Sequence, residues 1–530
     1  MSPDATLDKQ DRPPVAPPRP AEVEMQILAF NDFHGQIEEH YSGLGGAGYL
    51  AAHFRAKEAA ARNTVIISAG DLIGASPLTS ALFHDEPTIE AANMMGVDFA
   101  VVGNHEFDEG WVELVRMQDG RCHPVDGCLD GDWFAGAEFP FLAANVVHTD
   151  TGETLFPAYA VKRYSGVPVG FIGTVLEGTP SIVTASGVEG LEFLDEADAM
   201  NAAVAELQAM GIHAIVAIIH EGGWSIGDDT CDGPIVDIVE RTDDDVDVFI
   251  SGHTHAPYVC MIDGRTVTGN RSAGRMYTEI DMTLNRFTDD VTSVSAVLHE
   301  VTHDVTPAAD LLALVDKYAT LAAPLKNVVI GSITEDITEE ENEAGETALG
   351  DVIADAQLAE TAPADKGGAV VAFMNPGGIR ADFVYDEISG DEALGEITYG
   401  EAFTVQPFNN YLITMTLTGA QIDELLETQW VVERILQVSE GFSYEWSASA
   451  PVGSKVDIAS IMIDGVPVDP AGGYRVTVNS FLADGGDGFE VLTLGTDRLT
   501  GIIDLDALVE YFAANSPVPP GPQDRITMIP

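Results

Sequence analysis

Five times in its first half this chain runs through an apolar stretch and stops on polar residues that are costly to bury. Ile27-Leu28-Ala29-Phe30 runs into Asn31-Asp32-Phe33-His34, and Val65 to Ala69 into Gly70-Asp71. Phe99 to Val102 runs into Gly103-Asn104-His105-Glu106. Ala214 to Ile219 runs into His220-Glu221, and Val246 to Ile250 into Ser251-Gly252-His253-Thr254-His255. Apolar strands of this kind build an open α/β sheet, and ligands bind in the crevice outside the carboxyl ends of such strands. Five strands would deliver their polar residues to one edge. We read that edge as a two-metal site, with Asn104 as a ligand and His105 as the catalytic residue beside it.

Asp32 and His34 are two residues apart, as are His253 and His255, so in extended chain each pair points to one side. Asp71, Asn104 and His220 arrive singly. Two carboxylates, four imidazoles and one amide suit Zn²⁺, Mn²⁺ or Fe, whereas Ca²⁺ wants more oxygens. Two divalent ions against two carboxylates leave a net charge of about +2 for an anionic substrate. A single histidine after a strand is ordinarily a hydrogen-bonded structural residue, and a single Asp after Ala-Gly a turn. The coincidence of five strand ends favours metal, because turn chemistry does not call for histidines.

At 530 residues the chain is too long for one core. Its 24 Lys and Arg against 86 Asp and Glu give a net charge of −62, which disfavours nucleic acid and anionic membranes as partners. The acids are scattered along the whole chain, so the plain reading is a solvated surface suited to high salt. No run reaches the ~18 apolar residues that span a bilayer. Residues 1–24 read as a Pro-rich tether without a visible signal peptide, and the expectation is that a secretory signal has been removed. Four cysteines allow three connectivities, and their spacing favours Cys122 with Cys128 and Cys231 with Cys260. Four free thiols in a reducing cytosol are the alternative.

Strand and helix patterns alternate over residues 25–305, predicting an α/β sandwich. Asp108 to Met117 reads as a helix with Asp108 at its N-cap, and Phe141 to Val147 as a strand. Residues 306–325 read as a connecting helix opened by Thr-Pro, and residues 326–530 as an α+β unit.

Asn-Asp-Phe-His-Gly, Ala-Gly-Asp, Gly-Asn-His-Glu-Phe-Asp, the His220-Glu221 strand end and Ser-Gly-His-Thr-His resemble the calcineurin-like metallophosphoesterases. Their order and spacing are similar to those of the secreted 5′-nucleotidases and UDP-sugar hydrolases. The resemblance spans residues 25 to about 525. It implies that Asp32, His34, Asp71 and His255 hold one metal and Asp71, Asn104, His220 and His253 the other. It also implies a catalytic dyad of His105 and Asp108, in which His105 stabilises the transferring phosphoryl group and protonates the leaving oxygen. An extracytoplasmic location and a nucleotide substrate follow from the same resemblance. The oligomeric state is not specified.

The second unit holds Asn375-Pro-Gly-Gly-Ile-Arg380, Gln406-Pro-Phe408 and Asn479-Ser-Phe481-Leu-Ala-Asp-Gly-Gly-Asp487. Arg380 can grip phosphate or ribose through its planar fork, and Phe408 and Phe481 can stack on a base. These blocks resemble the nucleotidase C-terminal domain, where the matching Phe rings clamp the base and the positions of Asn375, Arg380 and Asp487 supply polar contacts. One departure matters. The family has substrate-binding arginine upstream of the Ala-Leu-Gly block, whereas residues 334–347 contain neither Arg nor Lys. Nucleoside monophosphates, 2′,3′-cyclic nucleotides, UDP-sugars and broader phosphoesters all stay open as substrates. A nucleotide-binding protein without turnover is the reading from a different class.

Overall fold

Each of the five apolar runs forms a strand, and the strands divide between two sheets. The computed structural model describes residues 21–40, 42–227, 230–390 and 392–530. Glu22–Phe30, Thr64–Ser68 and Phe99–Val101 lie parallel in a six-stranded sheet. Phe141–Leu142 extends it on one edge, and the antiparallel Met276–Asn285 and Asp290–Glu300 on the other. Ile215–His220 and Val246–Ser251 are parallel neighbours in a second six-stranded sheet, between Val167–Val175 and Arg265–Gly269.

The two sheets pack face to face. Ile27, Ala29, Val65 and Ile67 of the first meet Val169, Phe171, Val216, Ile218 and Val248 of the second in one buried cluster. Helices Ala47–Ala60 and Glu86–Met95 cover the outer face of the first sheet through Phe54 and Ile89. Helices Glu196–Ala209 and Pro234–Arg241 cover the second through Met200, Val204 and Ile235. Burial on both faces explains why these strands are apolar throughout. The register brings their ends level: Phe30 pairs with Ser68, Ser68 with Ala100, and Ser251 with Ile219.

Three expectations shift. The first strand starts at Glu22, inside the stretch read as a tether, because Val23 and Met25 are buried and pair with Met276–Asn285; residues 1–20 of that tether lie outside the described residues. Asp108 is not a helix N-cap. It closes a 3₁₀ turn, His105–Phe107, and the helix begins after Gly110 as Trp111–Asp119. Phe141 to Val147 is broken into Phe141–Leu142 and Val146–His148, which lie in different sheets. Between them the buried Asn145 amide donates to Leu194 O (2.9 Å) and accepts from Val175 N (3.0 Å). Both disulfides, Cys122–Cys128 and Cys231–Cys260, are formed.

Helix Ala309–Lys326 leads to the second unit. There Gln437–Val438, Val371–Met374, Gly473–Asn479, Tyr411–Thr418 and Thr496–Ile503 form a five-stranded mixed sheet. Helices Ala348–Thr361 and Asp504–Asn515 pack together through Leu349, Ile353, Leu508 and Phe512, and Leu78 of the first unit is buried in the same cluster. Lys326 Nζ donates to Glu38 Oε2 (2.6 Å), a further tie between the units. Among the described residues, no helix is long and apolar enough to cross a membrane.

Candidate metal and catalytic site

The strand ends turn sharply, and the turns aim the candidate ligands. Asp32 (φ 49°), His34 (48°), Asp71 (48°), His253 (68°) and His255 (52°) all hold left-handed backbone, a region few non-glycine residues occupy. Such positions persist where the surroundings over-determine them. Asp32 N donates to Gly70 O and His34 N to Asp71 O, both at 3.0 Å. His253 N donates to both Asp32 carboxylate oxygens (3.1 Å), which ties the first sheet to the second. Gly103 must lack a side chain, since a Cβ there would lie 2.2 Å from Asp71 Oδ1.

Two groups of donors result. Asp32, His34 and His255 form one, and Asp71, His220 and His253 the other; within each, the ligand atoms lie within 4.8 Å of one another. Asn104 joins the second, its Oδ1 3.1 Å from His253 Nδ1. Asp71 Oδ2 lies between them, 3.0 Å from His220 Nε2 and 3.9 Å from His34 Nε2. His255 Nε2 is 3.3 Å from Asp32 Oδ1 and 3.2 Å from His34 Nε2.

Ring orientation suits coordination. His220 Nδ1 donates to Ala69 O (2.8 Å) and His34 Nδ1 to Gly74 O (2.9 Å), so each Nε2 turns its lone pair inward. His220 Nε2 is buried and makes no well-directed hydrogen bond. Burial lowers His34 to about 3 and His253 to about 4, which keeps them neutral, as ligands must be. Burial also opposes charge on His220, but Asp71 and Asp32 beside it raise it to about 10. For Asp71, burial is outweighed by His220 and His105, which hold its carboxyl well below the usual range. Two buried carboxylates thus require positive charge at this point, from protons or from ions. The donor set fits divalent cations.

His105 sits beside both groups. Its backbone N–H donates to Asp71 Oδ1 (2.9 Å), and its Nδ1 donates to Asp108 Oδ2 (2.9 Å). Asp108 Oδ2 also accepts from Ala75 N (3.1 Å), which holds the carboxylate in place. Burial works against charge on His105, but Asp108 and Asp71 raise its pKa.

Glu106 is a residue that sequence reasoning left without a role. Its buried carboxylate accepts from the backbone N–H of Asp71 (3.0 Å), Leu72 (2.8 Å), Ile73 (3.3 Å) and Gly103. It therefore shapes both the Asp71 turn and the Asn104 turn. Burial, with Asp71 adding to it, pushes the carboxyl up to about 7. Nothing local signalled this, because the cap of the His105–Phe107 turn is Asn104 and three of the four Glu106 contacts reach a different strand end.

The second unit contributes directly. The Phe408 ring stacks on His105, with centroids 5.7 Å apart and planes 16° from parallel. The Arg380 guanidinium lies 5.9 Å from the Phe408 centroid, and its charge lowers the proton affinity of His34 and His105. Asn375 Nδ2 donates to Asp487 Oδ2 (2.9 Å) and Asn479 Nδ2 to Asn375 Oδ1 (2.9 Å). Arg434, which sequence reasoning passed over, pairs with Asp487 at 3.4 Å. Phe481 packs on the backbone of Gly486, where a Cβ would meet its ring at 2.5 Å. The two Phe rings thus make separate contacts, one on His105 and one on Gly486.

Residues 25–257 match the calcineurin-like phosphoesterase family, and residues 329–494 match the 5′-nucleotidase C-terminal domain. The chain belongs to the 5′-nucleotidase family of calcineurin-like phosphoesterases. It is similar to endonuclease YhcR of Bacillus subtilis (strain 168), with 34% identity over 92% of this chain and 39% of that protein. It is also similar to the cell wall protein Lmo0130 of Listeria monocytogenes, with 34% identity over 88% of this chain and 64% of that one. The chain thus spans less than two thirds of the length of either relative. A solved structure of a 5′-nucleotidase precursor from Thermus thermophilus covers 96% of this chain and 99% of its own, with 26% identity and a TM-score of 0.78. In this 5′-nucleotidase-family chain all seven donors fall within the stretch matching the phosphoesterase family. Arg380, Phe408, Phe481 and Asp487 fall within the stretch matching the C-terminal domain.

Proposed function

We propose that this phosphoesterase is a dinuclear-metal hydrolase that releases phosphate from nucleotides outside the cytoplasm. The supporting observation is the convergence of seven donors beside the His105–Asp108 pair, with the Phe408 ring of the second unit stacked on His105. Asp32, His34, Asp71 and His255 hold one cation. Asp71, Asn104, His220 and His253 hold the other, with Asp71 shared. Imidazole and carboxylate donors suit Zn²⁺, Mn²⁺ or Fe. Bound divalent ions supply Lewis-acid polarisation of the phosphoryl oxygens and a nucleophilic oxygen at neutral pH. His105 stabilises charge on the transferred group and protonates the leaving oxygen, while Asp108 holds its ring through Nδ1. Arg380 grips phosphate or ribose, Phe408 and Phe481 stack on the base, and Asn375 and Asp487 contact the nucleoside. The extracytoplasmic placement is supported by two disulfides and by the cell wall relative.

The test is phosphate release from nucleoside monophosphates, 2′,3′-cyclic nucleotides, UDP-sugars and single-stranded DNA, with Mn²⁺, Zn²⁺ or a chelator present. Release from mononucleotides, abolished by the chelator, is expected. AMP binding without turnover under every metal would overturn the proposal in favour of a nucleotide-binding protein. The DNA arm is included because one relative is named an endonuclease. A net charge of −62 opposes a polyanionic substrate.

A further inference from the structure

Outside the site above, a further group of metal-type donors comes together beside a cleft that His105 and Phe408 line. His84, Glu109, Glu113 and His123 each offer a ligand atom, and all four lie within 4.8 Å of one another. They come from three separate places: the turn before helix Glu86–Met95, the residues around the start of helix Trp111–Asp119, and the loop closed by Cys122–Cys128. The imidazoles of His84 and His123 are stacked, with centroids 3.9 Å apart and planes 21° from parallel. Asp126 lies against both, its Oδ2 3.1 Å from His84 Nε2 and 3.1 Å from His123 Nδ1. The other nitrogen of His84, Nδ1, is 2.7 Å from Glu109 Oε2. Glu113 is held in place by Arg116, whose Nη2 donates to its Oε1 (2.6 Å).

Acidic groups alone would be unremarked in a chain with 86 Asp and Glu. The informative feature is the pair of histidines among them. An ion-pair network at this point needs one imidazolium, and two imidazoliums stacked face to face would repel each other. A second ring adds nothing to such a network as a cation, whereas imidazole is a common ligand of divalent ions. A carboxylate on one nitrogen of a metal-binding imidazole fixes the tautomer and turns the other nitrogen to the ion, which is the arrangement Asp126 makes with Nε2 of His84, whose Nδ1 faces Glu109.

We propose that His84, Glu109, Glu113 and His123 form a further divalent-cation site of the zinc class, with the Asp126 carboxylate orienting the His84 ring and the Asp126 N–H donating to His123 Nδ1. The ion ties the disulfide loop to the turn that carries Asp108, since Glu109 follows it directly. It also neutralises the Glu109 and Glu113 carboxylates on the wall of a cleft that these residues and His84 line together with His105 and Phe408. In so acidic a protein, that neutralisation lessens the repulsion an anionic substrate meets.

The test compares the intact protein with His84→Gln/His123→Gln. Both are stripped by chelator, equilibrated with Zn²⁺ alone, dialysed and analysed for zinc per chain, with circular dichroism confirming the fold. The variant is expected to hold one zinc fewer. Because the readout is a difference, it does not depend on how many ions the main site takes. Equal zinc in both would overturn the proposal. Should the double variant not fold, Glu109→Gln, at an exposed carboxylate, is read by competition with a chromophoric chelator. Asp126→Asn is read in the same way and is expected to weaken the additional zinc by about 10- to 100-fold. Unchanged affinity in both of these variants would equally overturn the site.

Discussion

The ring of Phe408, from the second unit, lies face to face on the ring of His105, from the first, at 5.7 Å. A residue read as half of a base clamp is thus in contact with the residue read as the catalytic acid. The loop that carries Phe408 and the strand-end edge of the first unit are in direct contact. A nucleotide that places its phosphate beside His105 has the Phe408 ring within reach of its nucleoside.

Phe408→Ala should therefore act on two levels. Loss of one base stack weakens nucleotide substrates by about 1–3 kcal/mol. A base-free ester such as para-nitrophenyl phosphate loses only what the His105 contact contributes. The ratio of kcat/KM for AMP to that for para-nitrophenyl phosphate should fall in Phe408→Ala and in Phe481→Ala. An unchanged ratio in both would leave the rings a purely structural part.

Asp71 lies between the two donor groups, so its loss should empty more than one ion. Asp71→Ala is expected to lose more than one metal equivalent per chain, and Asn104→Ala at most about one. Elemental analysis decides, and two ions retained in Asp71→Ala would end the shared-ligand assignment.

His105 is assigned to proton and charge handling. His105→Ala should retain its metal and lose roughly 10²–10⁴-fold in turnover. Near-normal turnover with intact metal content would remove the dyad from the chemistry.

Glu106→Gln turns one acceptor oxygen into an N–H₂ that faces backbone N–H donors of Asp71, Leu72 or Gly103. Leaving such donors unpaired costs about 1–3 kcal/mol. The urea midpoint of the chelator-treated variant should fall accordingly. A midpoint equal to that of the parent would show that these turns hold themselves.

Asp504 offers a pH test away from the site. Burial raises its carboxyl to about 7, although Leu505 N donates to it at 2.9 Å. The folded chain therefore binds this proton more tightly than the unfolded chain does. Its contribution is fully present below the ordinary carboxylate pKa and is lost as pH rises to about 7. Asp504→Asn should lose less Tm than the parent between pH 5 and pH 8. A parallel fall in both proteins would contradict the sign.

Much of the candidate site was legible because its parts are local. Each donor follows directly on the apolar run that forms its strand, and hydrophobic runs predict buried strands without knowledge of their partners. Cys122 and Cys128 were legible for the same reason, being close in the chain. Asp108 was misread as a helix cap because an Asp three residues before a helix has that local meaning. Its actual partners, His105 Nδ1 and Ala75 N, depend on how the turn after Ser68 packs on the turn after Val101.

By itself, the sequence determined which residues reach the strand ends and that an α/β unit is followed by an α+β unit, since both follow from local hydrophobic pattern. Tertiary structure alone decided that Asp32 of one sheet receives the His253 N–H of the other, and that His220 fastens to Ala69 O. It also decided that Phe408 meets His105 and that His84 stacks on His123. These are contacts between residues far apart in the chain. They arise from sheet pairing and from burial of the faces between the sheets, and the same packing holds five site residues in left-handed backbone, which Asp and His tolerate better than most side chains.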